Sequence, residues 1–391
     1  MQPLLNPPAT IVVLDEKEPL LPLNSQPVIV DTRRSRAKCW FKEHIPRALV
    51  YGLFFYIMFN AMNAPFMRWS SNDKDIVIDD SFQLESMQDV VNYNDNVFAS
   101  GLVITCNDAN GPTIPFEGES EFEFDQKTFP RLTIDQKTNT RRHNSFQISK
   151  GNTVVSVDDS LSNAVVKFDL KFDREEMQDI FWIEQTEDQE QGVYSLVIRA
   201  DEDYRQDGCV SIDISVRVPD TASLSTLAIS LANNGLSLAK DLTFEHLAIS
   251  IGNGYVEFED GISSGITAFA VANGHVSGKI NTLSNDFTSS VANGHNDVSI
   301  KQVEQYNAEN IDIKVVVANG HNTVEVPTAF NSQFKLESFV GRRTVESSHP
   351  QGIHRRPGSW GVTSGYYGDD KDTKNTVTLK ASSGNLKLNY A

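Results

Sequence analysis

The sequence is poor in cysteine, in positive charge and in catalytic motifs, and each shortage narrows what the chain can be. Three cysteines in 391 residues are too few for a disulfide scaffold or a Cys-rich metal domain. Lys and Arg number 34 against 52 Asp and Glu, a formal charge of −18, which argues against a nucleic-acid partner because phosphate affinity comes from clustered basic side chains. There is no HExxH pair, no phosphate-cradling glycine loop and no dinucleotide fingerprint, so no cofactor is implied and an enzyme is not expected. No Asn-x-Ser/Thr sequon occurs. Helical periodicity is nearly absent outside residues 86–93 and 174–180. The 39% hydrophobic content nevertheless supports a folded core.

One long apolar run is present. Residues 47–67 hold an uncharged stretch from Ala48 whose first part, ALVYGLFFYIMF, is almost wholly apolar, about the ~20 residues that span a bilayer. A cleaved signal sequence is the competing reading. Against it stand the 47 preceding residues, Met62 three places before the Ala64 candidate, and Pro65 directly after the cut. Arg33, Arg34, Arg36, Lys38, Lys42 and Arg47 crowd the N-terminal flank, whereas Asp73, Asp75, Asp79 and Asp80 follow the run. The positive-inside rule then predicts a single-pass membrane protein with a cytoplasmic N-terminus. Residues 1–46 read as a disordered, proline-punctuated tail and 68–96 as a juxtamembrane linker. In the tail, Glu16-Lys17-Glu18-Pro19-Leu20-Leu21 matches an acidic dileucine pattern: Glu16, Leu20 and Leu21 are candidates for a sorting adaptor, with an endosome or vacuole as destination. Cys39, beside Trp40 and Phe41, is either a palmitoylation site or a free thiol.

The most informative stretch is repetitive. Asn-Gly pairs begin at Asn234, Asn253, Asn273, Asn293 and Asn319, at intervals of 19, 20, 20 and 26 residues. The surrounding text repeats as AISLANNGLSL, AISIGNGYVEF, AFAVANGHVSG, SSVANGHNDVSI and VVVANGHNTVEV, each an alternating strand, an Asn-Gly corner and a second strand. Taken singly, each pair suggests a hairpin turn. The near-constant period favours stacked coils of about 20 residues, with the five asparagines at one edge forming an amide ladder. Inward positions are then Ile249, Ile251, Val256 and Phe258, with Val271, Val291 and Val317 as later equivalents. The predicted fold is all-β: a β-solenoid, or β-helix, with regular repeats over 221–340. Residues 97–220 form a β-rich region of either irregular early coils or a separate sandwich, 341–374 a Gly/Arg/aromatic loop, and 375–391 the terminal strands.

These strand–Asn-Gly–strand units, the VRVPD that precedes them and the closing LKASSGNLKLNY resemble the putative-adhesin β-solenoid family, over about residues 150–391. The resemblance implies a cell-surface or envelope module with an adhesive or structural role, and it carries no catalytic residues to transfer.

Several side-chain groups invite a chemical reading. His275, His295 and His321 follow the corners and would share a column, either for a metal or proton or as plain polar corners facing water. Glu117, Glu119, Glu121, Glu123 and Asp125 alternate with phenylalanines as one solvated acidic face; without calcium-ligand spacing, no metal site is expected. Arg342, Arg343, Arg355, Arg356, Trp360, Tyr366 and Tyr367 are the contact-loop candidates, against the reading of a cap over the solenoid's end. Cys106 and Cys209, both beyond the membrane run, are a candidate disulfide. The reading that results is a type II membrane protein, at the cell surface or in an endosome or vacuole, displaying a non-catalytic acidic β-solenoid toward surface or wall glycans or proteins. The alternative is a membrane-tethered β-helical carbohydrate-active enzyme.

Overall fold

The computed structural model describes residues 106, 111–137, 146–201, 208–304 and 310–391. The predicted anchor at 47–67, the tail with Glu16, Leu20, Leu21 and Cys39, and the linker at 68–96 lie outside the described residues. Among the described residues, no helix is long and apolar enough to cross a membrane.

The described chain is all-β, its eighteen strands joined in one hydrogen-bonded sheet. In chain order they are β1 (Ile114–Pro115), β2 (Glu121–Phe124), β3 (Arg131–Lys137), β4 (Phe146–Ile148), β5 (Gly151–Val157), β6 (Ala164–Phe172), β7 (Phe181–Asp188), β8 (Val193–Ala200) and β9 (Gly208–Val218). There follow β10 (Thr226–Leu238), β11 (Thr243–Leu283), β12 (Phe287–Val303), β13 (Asp312–Val326), β14 (Ser332–Val340), β15 (Arg343–Ser347), β16 (Ile353–Arg355), β17 (Val362–Tyr367) and β18 (Thr376–Tyr390).

The pairing in the repeat region is parallel and in register. Ile229 lies beside Ile249, Val271 beside Val291, Val291 beside Val317, and Val317 beside Ala381, so each repeat rests on its predecessor residue for residue. The longer interval before Asn319 does not disturb the columns, because its extra residues fall between β12 and β13. Alternation in the sequence sends one set of side chains inward. Ile249, Ile251, Val256 and Phe258 are fully buried, and Val271, Val291 and Val317 nearly so. Each such side chain contributes roughly 1.5–3 kcal/mol by leaving water, a gain that no single repeat has without its neighbours.

Described residues upstream of the repeats join the same sheet and the same buried cluster. Strands β3 and β5 pair in parallel with β10, and β8 and β9 pair in parallel with β3 and β5 in turn. The outer edges are then closed by antiparallel strands, β7 on β8 and β6 on β9. The other end is closed likewise, with β17 antiparallel on β14 and β16 on β17. Reversing direction at both ends ends the parallel stack and blunts its open edges. The final strand is out of sequence order: β18 sits between β13 on one side and β14 and β15 on the other.

The region expected as a loop at 341–374 therefore contains three short strands, β15, β16 and β17. Its glycines, serines and arginines hide the alternation, because short strands laid over an end bury one residue here and there instead of every second one.

Candidate functional site

Two features stand out on this framework: the corner where the repeats stack, and the end closed by β14–β17.

At the corner the Asn ladder runs through Asn233, Asn253, Asn273, Asn293 and Asn319. The Nδ2 of each of the last four donates to the Oδ1 of the preceding asparagine at 2.6, 2.7, 2.9 and 3.0 Å, and Asn233 Nδ2 donates to the carbonyl of Ile148. The first rung is Asn233 and not Asn234, because Asn234 pairs with Gly254 and occupies the glycine position of the next column. Asn234 is buried, its amide donating to the Ile212 carbonyl at 3.0 Å. The remainder of that column is glycine for a steric reason. Gly254, Gly274, Gly294, Gly320 and Gly384 have φ between 143° and 151°, and a Cβ on any of them would lie 1.5–1.8 Å from a carbonyl oxygen of the neighbouring parallel strand. Asn-Gly here marks a chain passing through a crowded parallel corner, not a hairpin.

The next column is a stack of rings. His275 and His295 have centroids 4.9 Å apart with planes 2° from parallel, and His295 and His321 lie at 4.8 Å and 5°. Tyr255 extends the stack at 5.4 Å from His275, with Lys150 Nζ 5.1 Å from its ring centre. His275 Nε2 is 3.2 Å from Glu257 Oε1. Burial, then the imidazoles of His275 and His321, hold the pKa of His295 below the ordinary histidine value, with Asp297 opposing. Rings stacked face to face do not converge on a point, and no group of three His, Cys, Asp or Glu suited to a metal occurs among the described residues. Beneath the rings a buried polar chain runs from Ser289 to Asn296 to Asn322, whose amide reaches the Lys380 carbonyl at 3.1 Å. The Asn after NGH in the last two repeats is the trace it leaves in the sequence.

At the C-terminal end the contact-loop candidates divide. Trp360 is 77% exposed and meets Phe339, 46% exposed, edge to face at 5.0 Å beside the 57% exposed Val340. Arg342, Arg355 and Arg356 are exposed and Arg343 half-buried. None of the four forms an ion pair among the described residues; three rest instead on neutral acceptors, Arg343 on the Ser338 carbonyl at 2.8 Å, Arg355 on the Val345 carbonyl at 3.3 Å and Arg356 on Gln333 Oε1 at 3.4 Å. Tyr366 stacks on His354 at 4.5 Å. Tyr367 is not a contact residue: it is buried against Tyr390 with centroids 3.9 Å apart, and its hydroxyl meets Ser347. Burial holds the Tyr390 phenol well above its usual range. The exposed Phe339 and Val340 escaped sequence reasoning because they close an ordinary alternating strand.

Between β15 and β16 lies an open cleft of about 560 Å³ lined by Val345, Glu346, Ser347, Pro350, Ile353 and Arg355. Glu346 is paired with Lys387 at 3.0 Å. Far from this end, Cys106 and Cys209 are bonded with Cα atoms 5.9 Å apart. The acidic segment has Glu121 and Glu123 outward and Phe122 and Phe124 in the core.

No protein-family model matches the sequence, and no curated protein matches it. Among solved structures, a putative cell adhesion protein from Clostridium sporogenes is 11% identical over 71% of this chain and 100% of its own, at a TM-score of 0.29. A putative adhesin from Bacteroides fragilis is 12% identical over 71% and 99%, at 0.32. A putative lipid binding protein from Parabacteroides distasonis is 10% identical over 71% and 98%, at 0.26. Likenesses this distant place no constraint on function.

Proposed function

We propose that this chain is a single-pass type II membrane protein whose ectodomain is an acidic β-solenoid with a non-catalytic, adhesin-like role toward surface or wall components. The observation that carries the reading is the parallel stack itself. Repeats in register turn single residues into columns, and the columns at the corner are Asn and His, which suit repeated contact with an extended partner better than acid–base chemistry. The acidic balance beyond the membrane run, 47 acidic against 27 basic residues over 68–391, keeps such a displayed surface soluble. The anchor at 47–67 supplies the tether, and Glu16, Leu20 and Leu21 the route through endosomes.

The test is localisation with protease protection, joined to an adhesion assay on cells displaying the full chain. Protease added outside should remove the C-terminal region and spare an N-terminal tag, Leu20→Ala with Leu21→Ala should raise the surface fraction, and displaying cells should bind neighbours or wall material more than cells with an unrelated anchored protein. A soluble, unprotected chain without adhesion would overturn the proposal.

A further inference from the structure

The closed end formed by β14–β17 has a charge opposite to that of the chain. Residues 341–360 contain Arg342, Arg343, Arg355 and Arg356 against the single acid Glu346, in a protein of net charge −18. Guanidinium groups in so acidic a chain would be expected to find carboxylates, yet among the described residues three of these rest on neutral oxygens and none meets a carboxylate. Their capacity for charge-assisted bonds is thus unspent. Arg355, exposed, lines this open cleft with one Nη bonded to the Val345 carbonyl, which orients the planar fork and leaves its other donors uncommitted. The one acid in the cleft wall, Glu346, is neutralised by Lys387. Val345 and Ile353 give the cleft apolar surface, and Ser347 gives it a hydroxyl. At the corner of the same end, Trp360 and Phe339 expose ring surface of the kind on which sugar rings pack.

We infer that this end of the sheet is a binding site for an acidic polysaccharide, an oxyanion of one sugar unit seated on Arg355 in the cleft and neighbouring units tracked by Arg342 and Trp360. The inference rests on the binding role proposed above and names its ligand class. Exposed ring faces at Trp360 and Phe339 beside these arginines favour a polymer of sugar units, which stack on rings, over an anionic bilayer. The rest of the acidic surface repels such a polymer and so confines it to this end.

The test uses the full-length chain in detergent, immobilised, with polygalacturonate as the carboxylate probe, heparin as the sulfate probe, dextran as a neutral polymer and phosphatidylserine vesicles as the bilayer. Saturable binding to polygalacturonate or to heparin is expected, weakening as salt rises, with none to dextran; the preferred polymer identifies the oxyanion. Arg355→Ala should weaken binding about tenfold or more, the scale of one charge-assisted contact. Arg342→Glu, at an exposed side chain that makes no hydrogen bond or ion pair among the described residues, should also weaken it at an unchanged thermal midpoint. Binding to neither acidic polymer, binding indifferent to both variants, or binding to vesicles alone would overturn the inference. If the polymers fail while displaying cells still adhere, the site assignment falls and the adhesin-like role stands; if both fail, so does the role.

Discussion

A methyl group on Gly294 would sit 1.6 Å from the Gly274 carbonyl oxygen, at a φ of 143° that side chains rarely adopt. No rotamer relieves that contact, because both partners are backbone. Gly294→Ala should therefore cost about 3 kcal/mol in denaturant unfolding, whereas Gly111→Ala, with open space around it, should be close to neutral. Equal effects at the two sites would remove the steric account of the glycine column. One residue over, His295 sits between two imidazoles and its folded-state pKa is lowered by burial and by those neighbours. The unfolded chain thus takes up the proton more readily than the folded one. Stability from this group is whole above the unfolded value of about 6.5 and is lost as pH falls through it toward the folded value. Half-buried His246 is shifted in the same direction, chiefly by its burial. The thermal midpoint should fall between pH 8 and pH 5, and His295→Gln should flatten that slope; a midpoint that rises on acidification would contradict the sign.

At the scale of elements, β18 is the keystone. It pairs with β13 on one edge and with β14 and β15 on the other, and it buries Val377, Leu379, Leu386, Leu388 and Tyr390. Ending the chain before Thr376 would leave two parallel edges unpaired, so the truncated protein should self-associate in size-exclusion chromatography. A monomer with an unchanged melt would show that β18 is dispensable. At the other end, the Cys106–Cys209 bond closes 103 residues of sequence. Reduction should lower stability by up to about 4.7 kcal/mol in the chain-entropy model, and Cys106→Ser with Cys209→Ser should reproduce the loss. The inward set Ile249, Ile251, Val256 and Phe258 was legible in the sequence because period-2 alternation reports burial directly. The out-of-order place of β18 was not, since its repeat resembles the others and nothing local says which neighbour it pairs with. Asn233 was likewise masked by Asn234: in ANNG two residues fit the motif, and only the close approach of backbones at the glycine column decides between them. Tyr367 read as a surface aromatic because its burial depends on Tyr390, remote in sequence.

For the whole molecule, the proposal that repeats stack in one register underlies both the Asn–His corner and the arginine-bearing end. Ser237 aligns with Glu257, and the column continues through Ser277, Asp297 and Thr323 to Lys387. Five strand spacings of about 4.8 Å separate its ends, roughly 24 Å. Spin labels on cysteines placed at Ser237 and Lys387, in a Cys39→Ser background, measure that span directly by pulsed dipolar spectroscopy. The account predicts a single narrow distribution centred within a label's reach of 24 Å. A broad distribution, or a mean longer by several strand spacings, would show that the Asn-Gly units fold as independent hairpins and would contradict it.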